Sequence, residues 1–224
     1  MPEQGEETEG ESEGEIDRPI NYESRLFNFL HMMDASVELP LQRAEDKGRI
    51  TLFIEMEDLL HFSYVPDENL GYLINPASRE PERKIFLAEV QTNVWYYPRD
   101  HLREFLDYIS EHFEPILYTS AEKLYADYML DNVIDPDGSV FRHRLYQNSC
   151  YLLDKPDEDL YEFVKDVGRF QTRDISRSLL LDTRPLNFLL NPDNGLPVEE
   201  YHAEWEEEDS TLQFVINDLE GIRL

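Results

Sequence analysis

The sequence TLFIEMEDLLHFSY (residues 51–64) predicts the centre of the fold, because it begins as a strand and continues into a group of acids. Its first residues form an unbroken apolar and β-branched run, which is typical of a strand that is covered on both faces. Three carboxylates follow within four positions, Glu55, Glu57 and Asp58, and we interpret the final HFSY as a turn. Acids at the carboxyl end of such a strand indicate a candidate site.

The segments that follow alternate between strand and helix patterns. Short β-like runs within residues 65–97 predict a small antiparallel insertion, which Pro98 ends. After it, RDHLREFLDYISEHF has the apolar spacing of an amphipathic helix. PILYTS, AEKLYADYMLDNVI and SRSLLLD then predict a strand, a helix and a strand. This order predicts an α/β fold, with a Rossmann-like parallel sheet and a small antiparallel β insertion after its first strand.

Three parts of the chain are expected to differ in organisation. Residues 1–19 form an acidic tail without apolar periodicity, which we expect to be disordered or ordered by a partner. Residues 20–49 are predicted to form an N-terminal helix and a linker, and residues 50–224 the α/β domain. A last helix is predicted over residues 210–219, with Asp209 or the serine after it as the N-cap.

The composition excludes some classes of function. The formal net charge is −29, with eight acids and no base in residues 1–17 and seven acids in residues 198–209. Direct binding of nucleic acid needs a basic face, so we exclude it and expect basic protein partners, although the acidic tail could also simply be solvated. The apolar runs are too short for a membrane span, and we recognise no secretory or transit signal. The single cysteine, Cys150, is expected to be structural rather than nucleophilic.

Polar residues stand at three predicted strand ends. Because the carboxyl ends of parallel strands meet at one edge of a sheet, we expect these side chains to converge there. They are Glu55, Glu57, Thr119, Ser120, Asp182 and Thr183.

Together with Lys165 in FVKDV, these residues resemble the haloacid dehalogenase superfamily. Residues 50–220 are similar to the branch that contains the C-terminal-domain phosphatases, the NLI-interacting-factor-like proteins and the Tim50-type receptor of the mitochondrial inner-membrane translocase. The stretches that carry this resemblance occur in the family's order. They are HLREFLDYISEHFEPILYTSAEKLYAD, IDPDG, FRHRLYQNSC, FVKDV and LLLDTRPLNFLLNPDNGLPV.

The resemblance implies a phosphoryl-transfer site whose first motif has changed. In active relatives the first strand is followed by Asp-x-Asp-x-Thr; the first Asp attacks phosphorus, and the second acts as general acid and base beside Mg²⁺. The matching positions here are Glu55, Glu57 and Leu59. The other vestigial positions that the resemblance implies are Thr119 and Lys165, which would hold phosphoryl oxygens, and Asp182, which would lie beside the metal.

Replacing both aspartates by glutamates predicts a loss of activity. Each extra methylene moves a carboxylate by about 1 Å, and an error of this size can cost ~100-fold in rate. If the two effects multiply, the loss is ~10⁴-fold. We therefore expect a phosphatase fold without useful activity. The cofactor stays open between none and Mg²⁺, with Glu55, Glu57 and Asp182 as candidate metal ligands and Lys165 as an internal counter-charge.

Our hypothesis from the sequence is a catalytically degenerate phosphatase-like protein that acts as a scaffold, receptor or assembly factor. The resemblance to the translocase receptor implies a subunit of a large mitochondrial complex, in protein import or ribosome assembly. Its partners would carry basic surfaces or basic targeting segments. The alternative compartment is the nucleus or cytoplasm, and the alternative function is an active Mg²⁺-dependent phosphoprotein phosphatase with a Glu nucleophile.

Overall fold

The computed structural model describes residues 30–66, 77, 79–89, 91–155, 160–203 and 208–223. The strands in chain order are β1 (Leu30–Met32), β2 (Thr51–Ile54), β3 (His61–Tyr64), β4 (Arg83–Leu87), β5 (Thr92–Pro98), β6 (Glu114–Tyr118), β7 (His143–Leu145), β8 (Tyr151–Lys155), β9 (Leu160–Val164), β10 (Ser178–Asp182) and β11 (Gly195–Pro197). The helices are α1 (Leu102–His112), α2 (Lys123–Met129) and α3 (Thr211–Arg223), and a π-helical turn (Leu130–Ile134) continues α2. Short 3₁₀ turns are Gln147–Ser149, Val167–Arg169, Ile175–Arg177, Pro185–Phe188 and Pro192–Asn194.

Five parallel strands form the central sheet, in the order β11-β10-β2-β6-β7. The middle strand is β2, in which Leu52 is aligned with Leu179 of β10 and with Pro115 of β6. All four residues of β2 are buried. The predicted parallel α/β sheet, with the strand of residues 51–54 inside it, is therefore confirmed.

Side-chain alternation along β2 divides the core into two halves, since successive residues of a strand point to opposite faces. Leu52 and Ile54 pack on the face that is covered by α1 and α3. Phe53 packs on the other face, where its ring stacks on Phe170 with centroids 5.7 Å apart. Because both faces are covered, three consecutive positions of β2, Leu52, Phe53 and Ile54, are apolar, and burying each of them stabilises the fold by about 1.5–3 kcal/mol.

The insertion after β2 is a separate antiparallel sheet, in the order β3-β5-β4. His61 is aligned with Pro98, and Tyr64 with Trp95. The interpretation of HFSY as a turn is therefore wrong, because these four residues form β3 and pair along their whole length with β5. The antiparallel sheet thus begins before the predicted start at residue 65. The predicted run GYLI within residues 71–74 lies outside the described residues.

A third sheet joins the N-terminal part of the chain to the domain, in the order β1-β8-β9. Leu30 is aligned with Leu153 in an antiparallel pair. The helix predicted within residues 20–49 is therefore wrong for residues 30–32, where pairing with β8 replaces the helical hydrogen bonds. Residues 20–29 lie outside the described part of the chain.

The helices agree with their apolar patterns. In α1, Phe105, Leu106 and Ile109 are buried, as the predicted stripe requires. Helix α3 continues four residues beyond the predicted end at Leu219. The Thr211 N–H donates to Asp209 Oδ1 over 2.8 Å, so Asp209 supports the start of this helix. Within the residues that are described, no helix combines the length and the apolar character needed to cross a bilayer.

Candidate functional site

The carboxyl edge of the central sheet brings the polar strand ends together. Glu55 follows β2, Thr119 and Ser120 follow β6, and Asp182 is the last residue of β10. Lys165 follows β9 and reaches the same place with a fully buried side chain. Parallel pairing of β2 with both neighbours is the reason that residues more than sixty positions apart share one site.

The Glu55 carboxylate accepts hydrogen bonds from five donors. Its Oε1 accepts from the Met56 N–H over 2.7 Å and from the Thr119 hydroxyl. Its Oε2 accepts from Lys165 Nζ over 2.6 Å, from the Ser120 N–H over 3.2 Å and from the Ser120 hydroxyl over 3.3 Å. Burial by itself would raise the pKa of Glu55, but the Lys165 charge and these hydrogen bonds outweigh burial and lower the pKa below its usual value. Glu55 is therefore ionised and fully engaged at neutral pH.

The Lys165 ammonium lies between two carboxylates. It donates to Glu55 Oε2 and to Asp182 Oδ2. Burial favours the neutral amine, but Asp182 and then Glu55 outweigh burial and raise the pKa of Lys165, so it stays charged. Asp182 also accepts from Asn187 Nδ2 over 2.8 Å and from the Arg184 N–H over 2.9 Å. These contacts place Lys165 as the internal counter-charge that the sequence led us to expect.

Glu57 belongs to a different group of hydrogen bonds. Tyr125 donates to Oε1 over 2.5 Å, Ser63 donates to Oε2 over 2.9 Å, and His61 Nε2 lies 3.0 Å from Oε1. Burial would raise the pKa of Glu57, but His61 and these hydrogen bonds lower it. This group was not predicted from the sequence. Its signal was the alternation of His61 and Ser63, which lie on one face of a strand, and the interpretation of HFSY as a turn hid it.

The three carboxylates predicted as metal ligands do not share a common centre. Lys165 Nζ fills the space between Glu55 and Asp182, and Glu57 is bonded to β3 and α2 instead. The described residues contain no group of three or more His, Cys, Asp or Glu side chains placed to hold a metal ion. Octahedral Mg²⁺ needs several oxygen ligands at about 2.0–2.1 Å, and these side chains as arranged do not fit that requirement.

Acidic side chains also surround Asp58, which follows Glu57 in the chain. Burial and the neighbouring charges of Glu57 and Glu200 raise the pKa of Asp58 to about 6. Arg184 opposes this rise only weakly, since its guanidinium lies 3.9 Å from Asp58 and also 3.9 Å from Glu162. The carboxylates of Glu57 and Glu200 beside Asp58 concentrate negative charge there, which favours the approach of a cationic group.

Cys150 lies beneath the site as a buried thiol. Its Sγ contacts the Thr119 carbonyl at 4.0 Å, and burial raises its pKa to about 12. A nucleophilic cysteine needs a depressed pKa and access, and Cys150 has neither.

Comparison with known proteins identifies the family. Residues 50–223 match the family model described as NLI interacting factor-like phosphatase. The chain belongs to this family. The human "Carboxy-terminal domain RNA polymerase II polypeptide A small phosphatase 1" is 32% identical over 161 residues, which cover 71% of this chain and 55% of that protein. "CTD small phosphatase-like protein 2" of Dictyostelium discoideum is 29% identical over 191 residues, which cover 85% of this chain and 30% of that protein.

The chain thus spans about half of the length of the human relative and 30% of the length of the Dictyostelium relative. Among solved structures, the fission yeast RNA polymerase II CTD phosphatase Fcp1 bound to beryllium fluoride matches with a TM-score of 0.50 and 20% identity, over 78% of this chain and 50% of that one. This likeness confirms the haloacid dehalogenase-like fold. The resemblance to the mitochondrial translocase receptor stays a prediction.

Proposed function

We propose that this chain is a catalytically degenerate member of its phosphatase family and works by binding proteins with basic surfaces. The observation that supports this most directly is that the side chains at both catalytic positions are fully bonded to the protein itself. Glu55 is held by five donors and Glu57 by the β3 and α2 side chains. A carboxylate nucleophile needs a free lone pair aligned about 3–3.5 Å from phosphorus. Both oxygens of Glu55 already accept hydrogen bonds from the protein, so neither is free for attack.

Freeing Glu55 for attack would be costly. Its departure would leave Lys165 with Asp182 as its remaining carboxylate, in a fully buried position. Breaking a buried ion pair costs about 3–5 kcal/mol when the remaining charge is left unpaired, and the Asp182 carboxylate reduces that cost here, so the loss of rate is at most about 10²- to 10⁴-fold. This cost adds to the misplacement that the longer side chain already causes.

The second position is also unsuited to catalysis. A general acid works best with a pKa near the operating pH, whereas the bonds that hold Glu57 lower its pKa. The family's threonine is replaced by Leu59, which is fully buried in the core and supplies packing but no hydroxyl. Without a fitting metal centre, no resident Mg²⁺ forms part of the proposed function.

The proposed partners are chosen by charge. The net charge of −29 and the neighbouring acids Asp58 and Glu200 attract basic surfaces over long range, and salt weakens that attraction. Scaffold, receptor and assembly roles all fit this chemistry. The relatives named for RNA polymerase II favour the nuclear alternative for its compartment, whereas a mitochondrial import or ribosome-assembly complex rests on the resemblance to the translocase receptor alone.

An aryl phosphate assay with Mg²⁺ tests the catalytic half. We expect no turnover above background from the wild type, with an active family relative as the positive control. Turnover that Glu55→Gln abolishes, and that the double change Glu55→Asp with Glu57→Asp raises, would instead overturn the proposed loss of activity and favour the alternative of an active Mg²⁺-dependent phosphoprotein phosphatase. For the binding half, a labelled Lys- and Arg-rich peptide should bind at low but not high ionic strength. A matched Glu-rich peptide should not bind at either, and failure of the basic peptide at low ionic strength removes the basis for this partner class.

A further inference from the structure

The donors around Glu55 have the chemistry of an anion site. They comprise two backbone N–H groups, from Met56 and Ser120, the hydroxyls of Thr119 and Ser120, and the Lys165 ammonium. They come from the ends of three different strands and all point to one place. Backbone N–H groups, hydroxyls and a cation that converge in this way hold oxyanions such as phosphate.

We propose that the Glu55 carboxylate is the internal ligand of this site and keeps it closed to free tetrahedral oxyanions. This assignment rests on the proposed function and deepens it, because it names the group that occupies the anion site of a protein without phosphatase turnover. The carboxylate supplies the negative charge that the Lys165 ammonium needs, so the buried cation stays paired without an external anion.

The hydrogen-bond lengths show that a carboxylate is an imperfect occupant. Lys165 and Met56 bond to it at 2.6 and 2.7 Å, but the two Ser120 donors remain at 3.2 and 3.3 Å. Hydroxyl donors normally approach to 2.5–3.0 Å, so the Ser120 hydroxyl lies beyond its usual range. The five donors share the two oxygens of the planar Glu55 carboxylate. A tetrahedral oxyanion would offer further oxygens to the N–H and the hydroxyl of Ser120.

The length of Glu accounts for this occupancy. One methylene more than Asp carries the carboxylate about 1 Å further from β2, toward the donors of Thr119 and Ser120. The same extension therefore takes the group away from the position of a nucleophile and puts it in the position of the anion. Shortening or removing this side chain should open the site.

The test measures thermal unfolding of full-length Glu55→Ala with inorganic phosphate as the probe. At phosphate about 100 times the Kd, we expect the Tm of Glu55→Ala to rise by about 5–10 °C. Phosphate also stabilises proteins generally, so the wild type and the size-matched Glu55→Gln measure that background. In both of these proteins the side chain of residue 55 still fills the anion site, so phosphate should raise their Tm by the background amount only. Adding Thr119→Ala to Glu55→Ala should reduce the specific shift, since a donor is lost.

Two results overturn the assignment. One is a folded Glu55→Ala whose phosphate shift equals that of Glu55→Gln, and the other is a wild type that shifts as much as Glu55→Ala. If Glu55→Ala folds only when phosphate is present, the assignment is supported. If Glu55→Ala folds neither with nor without phosphate, the same measurement is made on Glu55→Asp, which withdraws the carboxylate but keeps a charge near Lys165. A phosphate-induced rise in its Tm beyond the background supports the assignment, and a rise equal to the background overturns it. These are binding measurements, so their failure is separate from the outcome of the turnover assay.

Discussion

Asp58→Asn should stabilise this protein at neutral pH, although it removes a negative charge that lies 3.9 Å from the Arg184 guanidinium. Asp58 has a φ of 59°, in the left-handed region that Asn tolerates as Asp does. The substitution keeps the size of the side chain and removes its charge from a partly buried place beside Glu57 and Glu200. The backbone hydrogen bonds of residue 58 with His61 and Tyr201 do not involve the side chain and should persist.

The magnitude follows from the pKa of Asp58, which rises from its ordinary 3.8 to about 6 in the folded protein. The folded state then binds the proton more tightly than the unfolded state, so stability falls as the pH rises from about 4 through 6 and the full deficit remains above 6. A rise of the Asp58 pKa from 3.8 to about 6 corresponds to about 3 kcal/mol, which is an upper limit for a side chain that is 19% exposed. At pH 5 the same relation gives about half of that deficit.

Urea unfolding at pH 8 and pH 5 measures this effect. We expect Asp58→Asn to raise the free energy of unfolding by about 1–3 kcal/mol at pH 8 and by about half as much at pH 5. Asp218→Asn, on the exposed side of α3, is the matched control and should change stability by less than about 0.5 kcal/mol. A gain of equal size at both pH values, or a loss at pH 8, would refute the reasoning about Asp58.

Two further predictions concern packing and pairing. Lys165→Met should lower the free energy of unfolding by about 3–5 kcal/mol in urea, because Glu55 and Asp182 would lose their shared cation; a loss below 1 kcal/mol would contradict the ion network. Gly195→Ala should lower it by about 1–3 kcal/mol, because the new Cβ would lie 2.5 Å from Phe188 Cδ1. Gly221→Ala, in open space on α3, should instead be neutral or stabilising, and similar losses at both glycines would argue against the Phe188 contact.

Local sequence patterns were sufficient to predict those strands and helices whose apolar residues are spaced as their buried faces in the fold require. The unbroken apolar run of β2 predicted a strand covered on both faces, and the stripe of α1 predicted an amphipathic helix. Patterns failed where pairing with a distant strand decided the conformation. Residues 30–32 pair with β8, and residues 61–64 pair with β5, so strand partners more than thirty residues away override the local pattern.

The sequence by itself determined the family and which polar groups stand at the strand ends. Only the tertiary structure decided where the two glutamates point. Glu55 and Glu57 are alike in charge and length and two residues apart, yet one turns to Lys165 and the other to Tyr125. Their donors lie 110 and 68 residues away along the chain. A buried carboxylate must satisfy its oxygens wherever the fold supplies donors, and that supply depends on which distant elements the parallel sheet and the insertion place beside each side chain.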